Sequence, residues 1–148
     1  MYKRILVAVD GSHTAEIALH QAIELASLFK AKLRIVHAID FVNLTLVGGF
    51  INPPELEAAM SNNGREVLRK AAAIAGNAGI EVETGLIEIH TLGRRLPEAI
   101  AADSDEWSAD LIVICSHKRH GVSRLFMGSV AEGIMRATTK PVLLIRGK

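Results

Sequence analysis

Five short apolar segments alternate with longer segments of helical periodicity, and this alternation constrains the fold more than any other feature. The apolar segments are typical of buried strands and comprise Lys3–Val9, Lys32–Ile39, Ile80–Ile89, Asp110–Cys115 and Val142–Arg146. Between them, apolar residues recur at helical spacing over Thr14–Phe29, Glu55–Asn77, Leu96–Trp107 and Phe126–Ala137. Alternating strands and helices predict an α/β fold, with a parallel sheet sandwiched by helices and right-handed crossovers.

Composition excludes several classes of protein. A chain of 148 residues and 16.0 kDa has the size of one domain, residues 1–148. Because 49% of the residues are hydrophobic and only 4% are aromatic, we expect an aliphatic core. Seventeen basic against sixteen acidic residues give a net charge of +1, which argues against disorder and against a nucleic-acid partner.

The single cysteine and the short apolar runs indicate the compartment. Cys115 has no second cysteine for an internal disulfide, which favours a reducing environment. No apolar stretch approaches the roughly 20 residues that span a bilayer. We therefore expect a cytoplasmic protein without membrane insertion.

Two loops are the candidates for a ligand site. In doubly wound sheets, ligands bind at the carboxyl ends of the strands where the strand order reverses, here beside the first strand. The first loop is Asp10-Gly11-Ser12, in which Ser12 is placed to cap the following helix. Asp10 suits a ribose hydroxyl or a metal ion near phosphates, although it also suits an ordinary turn.

The second loop follows the fourth strand and is strongly basic. It carries Lys118, Arg119 and Arg124 and leads to Gly128-Ser129 at a predicted helix N-terminus, a favourable place for an anion. A solvated surface loop with a serine cap is the alternative. The chain has neither GxxxxGK[ST] nor GxGxxG, which disfavours a Walker-type phosphotransferase.

Five segments together resemble the universal stress protein family: KRILVAVDGS (3–12), RIVHAID (34–40), ADLIVICSH (109–117), GVSRLFMGSVAE (121–132) and KPVLLIR (140–146). Their order and spacing match over Tyr2–Arg146. The resemblance implies a Rossmann-like sheet of the adenine nucleotide alpha hydrolase-like type, with strand order 3-2-1-4-5. It also implies a stress-response or regulatory role.

Many members of this family bind ATP through a G-x2-G-x9-G-[ST] loop. Gly128-Ser129 matches its end, but Cys115 and Lys118 stand where the earlier glycines fall. A side chain at such positions hinders close approach of backbone to phosphate. Either the Lys118 ammonium replaces the lost backbone contacts, or the loop closes the pocket.

By resemblance, ATP (or AMP or ADP), with Mg²⁺ held through Asp10, would occupy the carboxyl ends of strands 1, 2 and 4. Adenine would face Ala38-Ile39, and Ser116 and His117 would lie along the ribose and phosphates. The predicted nucleotide-binding residues are Val9, Asp10, Gly11, Ser12, Ala38, Ile39, Cys115, Ser116, His117, Lys118, Arg119, Gly121, Gly128, Ser129 and Val130.

Catalysis has weaker support in the sequence. Cys115 with His117 suggests a nucleophilic pair, but no third, orienting group is identified. His117 and His120 suggest a metal site, for which Cys115 is the nearest further ligand. No residue is placed as an obvious general base, so we expect at most slow ATP hydrolysis.

The last strand predicts a homodimer. Val142, Leu143, Leu144 and Ile145 are too apolar for an exposed sheet edge, and pairing with a second copy would cover them. The family resemblance implies the same interface. The alternative to a nucleotide-binding module is a homodimer that binds no nucleotide and acts through regulatory protein partners.

Overall fold

The computed structural model describes residues 1–42, 53–116 and 128–146 and contains nine principal elements. The strands are β1 (Arg4–Ala8), β2 (Lys32–Asp40), β3 (Val82–Ile89), β4 (Leu111–Ser116) and β5 (Val142–Arg146). The helices are α1 (His13–Phe29), α2 (Pro54–Asn77), α3 (Leu96–Trp107) and α4 (Ser129–Ala137). The alternation predicted from the sequence is confirmed.

The five strands form one parallel sheet in the order β3-β2-β1-β4-β5. Ile5 of β1 pairs with Leu33 of β2 on one side and with Leu111 of β4 on the other. The predicted strand order is therefore confirmed, and the carboxyl ends of β1 and β4 lie side by side. Strands β3 and β5 form the two edges.

Helices cover both faces of the sheet, each over its own apolar cluster. Ile5 and Val7 of β1 belong to the cluster that includes residues of α1 and α2, whereas Leu6 belongs to the cluster with residues of α3 and α4. This alternation follows from the period-two geometry of a strand. Both clusters are aliphatic, as the low aromatic content predicts.

The start of α1 is fixed by a local cap. The Ser12 hydroxyl accepts a hydrogen bond from the Ala15 amide at 3.1 Å, and Glu16 lies in the first turn. This confirms the predicted cap, which satisfies one amide that the helix leaves without a partner.

The prediction for α4 was wrong at its start. Residues 126–127 lie outside the described residues, and Gly128 is the N-cap, with an extended backbone (φ −59°, ψ 154°). The helix therefore begins at Ser129 rather than Phe126. The apolar pattern places Phe126 on the helical face, but this pattern does not specify where the backbone turns.

An ion-pair network joins α3 to the edge of the sheet. Arg34 of β2 donates to both carboxylate oxygens of Asp103, at 2.8 and 3.0 Å, and to Glu83 at 3.0 Å. The side chains of Arg34 and Asp103 are only 14% and 17% exposed. Their bidentate pairing therefore holds α3 in place under low solvent screening.

Among the helices of the described residues, none has both the length and the apolar character required to cross a bilayer.

Candidate functional site

The chain turns sharply where β1 ends. The Val9 amide donates to Val36 at 2.9 Å, and the Asp10 carboxylate accepts from the Ser12 amide at 2.9 Å. Gly11 has φ +85°, a conformation that L side chains rarely adopt, and a Cβ there would lie 3.3 Å from Val67 of α2. The turn therefore places Asp10 at the carboxyl edge of the sheet, close to α2.

A cleft of about 460 Å³ opens at this turn and runs between α1 and α2. Its volume lies within the range of small-molecule sites. Apolar side chains form part of its wall, and polar groups of both helices line the rest. The lining residues are Val9, Asp10, Gly11, Ser12, Ala15, Glu16, Leu19, Asn63, Glu66, Val67, Lys70, Ala71 and Ile74.

The polar wall of the cleft carries both signs of charge. Arg69 donates to Glu66 at 2.6 and 2.8 Å, and this hydrogen bonding lowers the pKa of Glu66, which stays a carboxylate. Lys70 on the next turn supplies a cation. Together with Asp10, these groups can accept hydrogen bonds from hydroxyl or amino groups and attract an anionic group.

The end of β2 differs in detail from the sequence-based expectation. Ile39 is 5% exposed, and its side chain packs beneath α2, where a Cβ on Gly64 would approach its Cδ1 to 3.3 Å. Ala38 packs against the core cluster on the opposite face. Any contact of this segment with a ligand at the sheet edge would therefore come mainly from its backbone.

Cys115 and Ser116 lie at the end of β4, beside Asp10. Burial, followed by the negative charge of Asp10, raises the pKa of the Cys115 thiol to about 11. The thiol is therefore protonated at neutral pH, which disfavours the nucleophilic pair suggested by the sequence. His117, its predicted partner, lies outside the described residues.

The described part of the chain was the basis for testing the predicted metal sites. Within residues 1–42, 53–116 and 128–146, no three His, Cys, Asp or Glu side chains cluster as metal ligands. The suggested pair His117 and His120 lies outside these ranges. The binding of Mg²⁺ through Asp10 stays a prediction.

The predicted basic loop is described only at its two ends. His117, Lys118, Arg119 and Gly121 lie outside the described residues, whereas Gly128, Ser129 and Val130 form the start of α4. Among the described residues, no side chain caps this helix start, and Ser129 and Val130 are exposed. An anion could approach its amide groups.

The sequence-based site missed the wall contributed by α2. Asn63, Glu66, Val67 and Lys70 recur at helical spacing, so the pattern indicated a common face. It did not indicate that this face lies beside Asp10. The contact of His37 with the Val9 carbonyl oxygen at 2.8 Å was also not predicted, because a lone histidine in a strand is usually structural.

Three comparisons extend this description. The universal stress protein family model matches residues 1–146. A Staphylococcus saprophyticus protein named for this family is 36% identical over 146 residues, which are 98% of this chain and 84% of that protein. A solved family structure from Burkholderia pseudomallei has a TM-score of 0.75 and 33% identity, covering 97% and 96% of the two chains.

The universal stress protein of Archaeoglobus fulgidus was solved in complex with dAMP. It is 31% identical to this chain, with a TM-score of 0.68 and coverage of 97% and 98%. The similarity thus extends over nearly the full length in both sequence and fold. The chain belongs to the universal stress protein family.

Proposed function

We propose that this protein is a stress-response or regulatory module that binds an adenine nucleotide at the carboxyl ends of β1, β2 and β4. The observation that carries the proposal is the Asp10 carboxylate at the end of β1, between the carboxyl ends of β2 and β4. The cleft that opens at this turn is lined by α1, α2 and Val9–Ser12, and by none of the described residues of β2, β4 or α4. The dAMP complex of the Archaeoglobus fulgidus relative supports this ligand class.

In this proposal the ligand is ATP, ADP or AMP. The Asp10 carboxylate would accept hydrogen bonds from ribose hydroxyls or bind Mg²⁺ near the phosphates. The amides at Gly128 and Ser129 would receive a phosphate at the start of α4. Lys118 and Arg119 would add positive charge from the preceding loop.

In this proposal the whole chain, residues 1–148, acts as one cytoplasmic domain and pairs through β5 into a homodimer. The homodimer would act through regulatory protein partners. The bound nucleotide would act as a signal, with hydrolysis slow at most, because neither Cys115 nor another described side chain is placed as an evident general base.

Nucleotide that copurifies with the protein tests the proposal. The protein is purified without added nucleotide and denatured, and the extract is separated by ion-pair chromatography. We expect a substoichiometric to stoichiometric amount of ATP, ADP or AMP from the wild type and much less from Asp10→Ala. Glu24→Gln on the exposed side of α1 is the control and should retain the wild-type amount.

Absence of any adenine nucleotide, followed by failure of 5 mM Mg-ATP (about 5,000 times a Kd of 1 μM) to raise the melting temperature, would contradict the proposal. Such a result would favour the alternative, a homodimer that binds no nucleotide and acts through protein partners. The observation behind this alternative is that Cys115 and Lys118 replace two loop glycines.

The variant Lys118→Gly tests how the lysine at this glycine position of the family loop affects nucleotide binding. If the ammonium contacts the phosphates, the variant should bind Mg-ATP more weakly than the wild type. If the side chain obstructs the phosphates, the variant should bind more tightly. Calorimetry measures the difference directly.

A further inference from the structure

His37 of β2 makes an uncommon contact with the backbone of the site. Its Nδ1 lies 2.8 Å from the carbonyl oxygen of Val9. A carbonyl oxygen only accepts hydrogen bonds, so the histidine must carry hydrogen on Nδ1 and donate it. The contact thereby defines the tautomer of a neutral His37.

The bonded carbonyl belongs to the peptide that links Val9 to Asp10. The last paired residue of β1 is Ala8, which lies opposite Val36, so this carbonyl lies just beyond the ladder between β1 and β2. The histidine side chain supplies a partner where the chain leaves the sheet. The bonded oxygen lies in the same peptide plane as the Asp10 amide.

Helix α2 holds the histidine ring in position. A Cβ placed on Gly64 would lie 2.9 Å from Cδ2 of His37 and 2.9 Å from Cδ1 of Leu86. Any side chain at residue 64 would therefore have to displace the ring or that leucine. The bare backbone of Gly64 gives the ring the space from which Nδ1 reaches Val9.

We propose that His37, supported by Gly64, is a positioning residue that orients the Val9–Asp10 peptide for ligand binding. It acts through Asp10 and need not touch the ligand. The predicted effect of His37 on ligand binding rests on the proposed function. The immobilisation of the Asp10 peptide can be measured without a ligand.

Two substitutions of His37 separate hydrogen bonding from packing. In His37→Asn the side-chain amide can replace the Nδ1 donor, whereas His37→Leu fills space without a donor. Binding of Mg-ATP is measured by calorimetry, and exchange of the Asp10 amide hydrogen is measured by NMR. We expect about fivefold weaker binding and faster exchange for His37→Leu, with His37→Asn within about twofold of the wild type.

Gly64→Ala tests the support from α2. We expect it to weaken binding and to accelerate Asp10 exchange, because the added Cβ collides with the ring. Gly76→Ala is the matched control on the same helix, since a Cβ there meets nothing within 4 Å. It should match the wild type in both measurements. If His37→Leu does not fold, the Gly64 and Gly76 pair carries the test.

Equal effects of His37→Asn and His37→Leu, or wild-type exchange at Asp10 in His37→Leu and Gly64→Ala, would overturn the proposal. If the wild type binds no nucleotide, the proposed function fails. The exchange rates then still decide whether His37 positions Asp10.

Discussion

Cys115 shows how a single residue separates two interpretations of the site. In the sequence it occupies a glycine position of the family loop and precedes His117 by two residues. In the structure it is partly buried beside Asp10, and both effects disfavour the thiolate. Its environment is thus better suited to a packed thiol than to a nucleophile.

The thiol of Cys115 should react slowly with iodoacetamide. At pH 8, a rise of the pKa from 9.0 to about 11 lowers the thiolate population roughly a hundredfold. Mass spectrometry can follow alkylation of this sole cysteine in the native protein and in urea. Equal rates in the two conditions would show that the thiol is neither buried nor influenced by Asp10.

The same pKa difference predicts how folding stability depends on pH. Folding raises the pKa of Cys115, so the contribution of this residue to stability is fully present below pH 9 and decreases as the pH rises toward about 11. The free energy of unfolding of the wild type should therefore fall more steeply over this interval than that of Cys115→Ala.

At the scale of elements, the ion pair between Arg34 and Asp103 fastens α3 to β2. We expect Asp103→Asn to lower the free energy of unfolding by roughly 2 kcal/mol, because a mostly buried guanidinium loses its bidentate carboxylate and keeps only the more exposed Glu83. Urea unfolding followed by circular dichroism measures this change.

Glu66→Gln is the control for the ion-pair prediction. The pair between Glu66 and Arg69 has its side chains 46% and 67% exposed, so solvent screens it and its loss should change stability far less than Asp103→Asn does. A similar change in both variants would contradict the special role assigned to the pair between Arg34 and Asp103.

Elements were predictable from the sequence where local and long-range signals agree. The apolar run of β4 is buried in the sheet, and Ser12 caps α1 as its position predicts. The apolar pattern alone placed the start of α4 too early, at Phe126, because it continues past the N-cap at Gly128, whereas the predicted anion site placed the helix N-terminus at Gly128-Ser129. A capping glycine carries no side chain that marks the boundary.

Only the part of the site at the end of β1 could be predicted from the sequence. Asp10 lies at a switch point that strand order defines, so topology was sufficient to identify it. The position of Lys70 beside Asp10 depends on how α2 packs over the sheet. That arrangement arises from many distant contacts, and no local spacing encodes it.

At the scale of the whole molecule, β5 is the exposed edge that a second copy would cover. Its residues Val142 to Ile145 are only partly buried within one chain. Because the Ile112 amide bonds to the Pro141 carbonyl, alternation along the strand directs the amide of Leu144 toward the open edge.

We expect the wild type to be a dimer of about 32 kDa, twice the chain mass of 16.0 kDa, and Leu144→Pro to be a monomer. Proline removes the outward donor while leaving the ladder with β4 intact. Leu144→Val should remain dimeric. Light scattering on all three proteins measures these masses, and a wild-type mass near 16 kDa at micromolar concentration would contradict the predicted interface.

The most direct test of nucleotide binding is calorimetric titration of Mg-ATP into nucleotide-free protein, with Asp10→Ala titrated in parallel. The account predicts a saturable heat with one nucleotide per chain for the wild type and at least about tenfold weaker binding for the variant. A wild type that releases no heat and gains no thermal stability at millimolar Mg-ATP, or a variant that binds equally well, would contradict it.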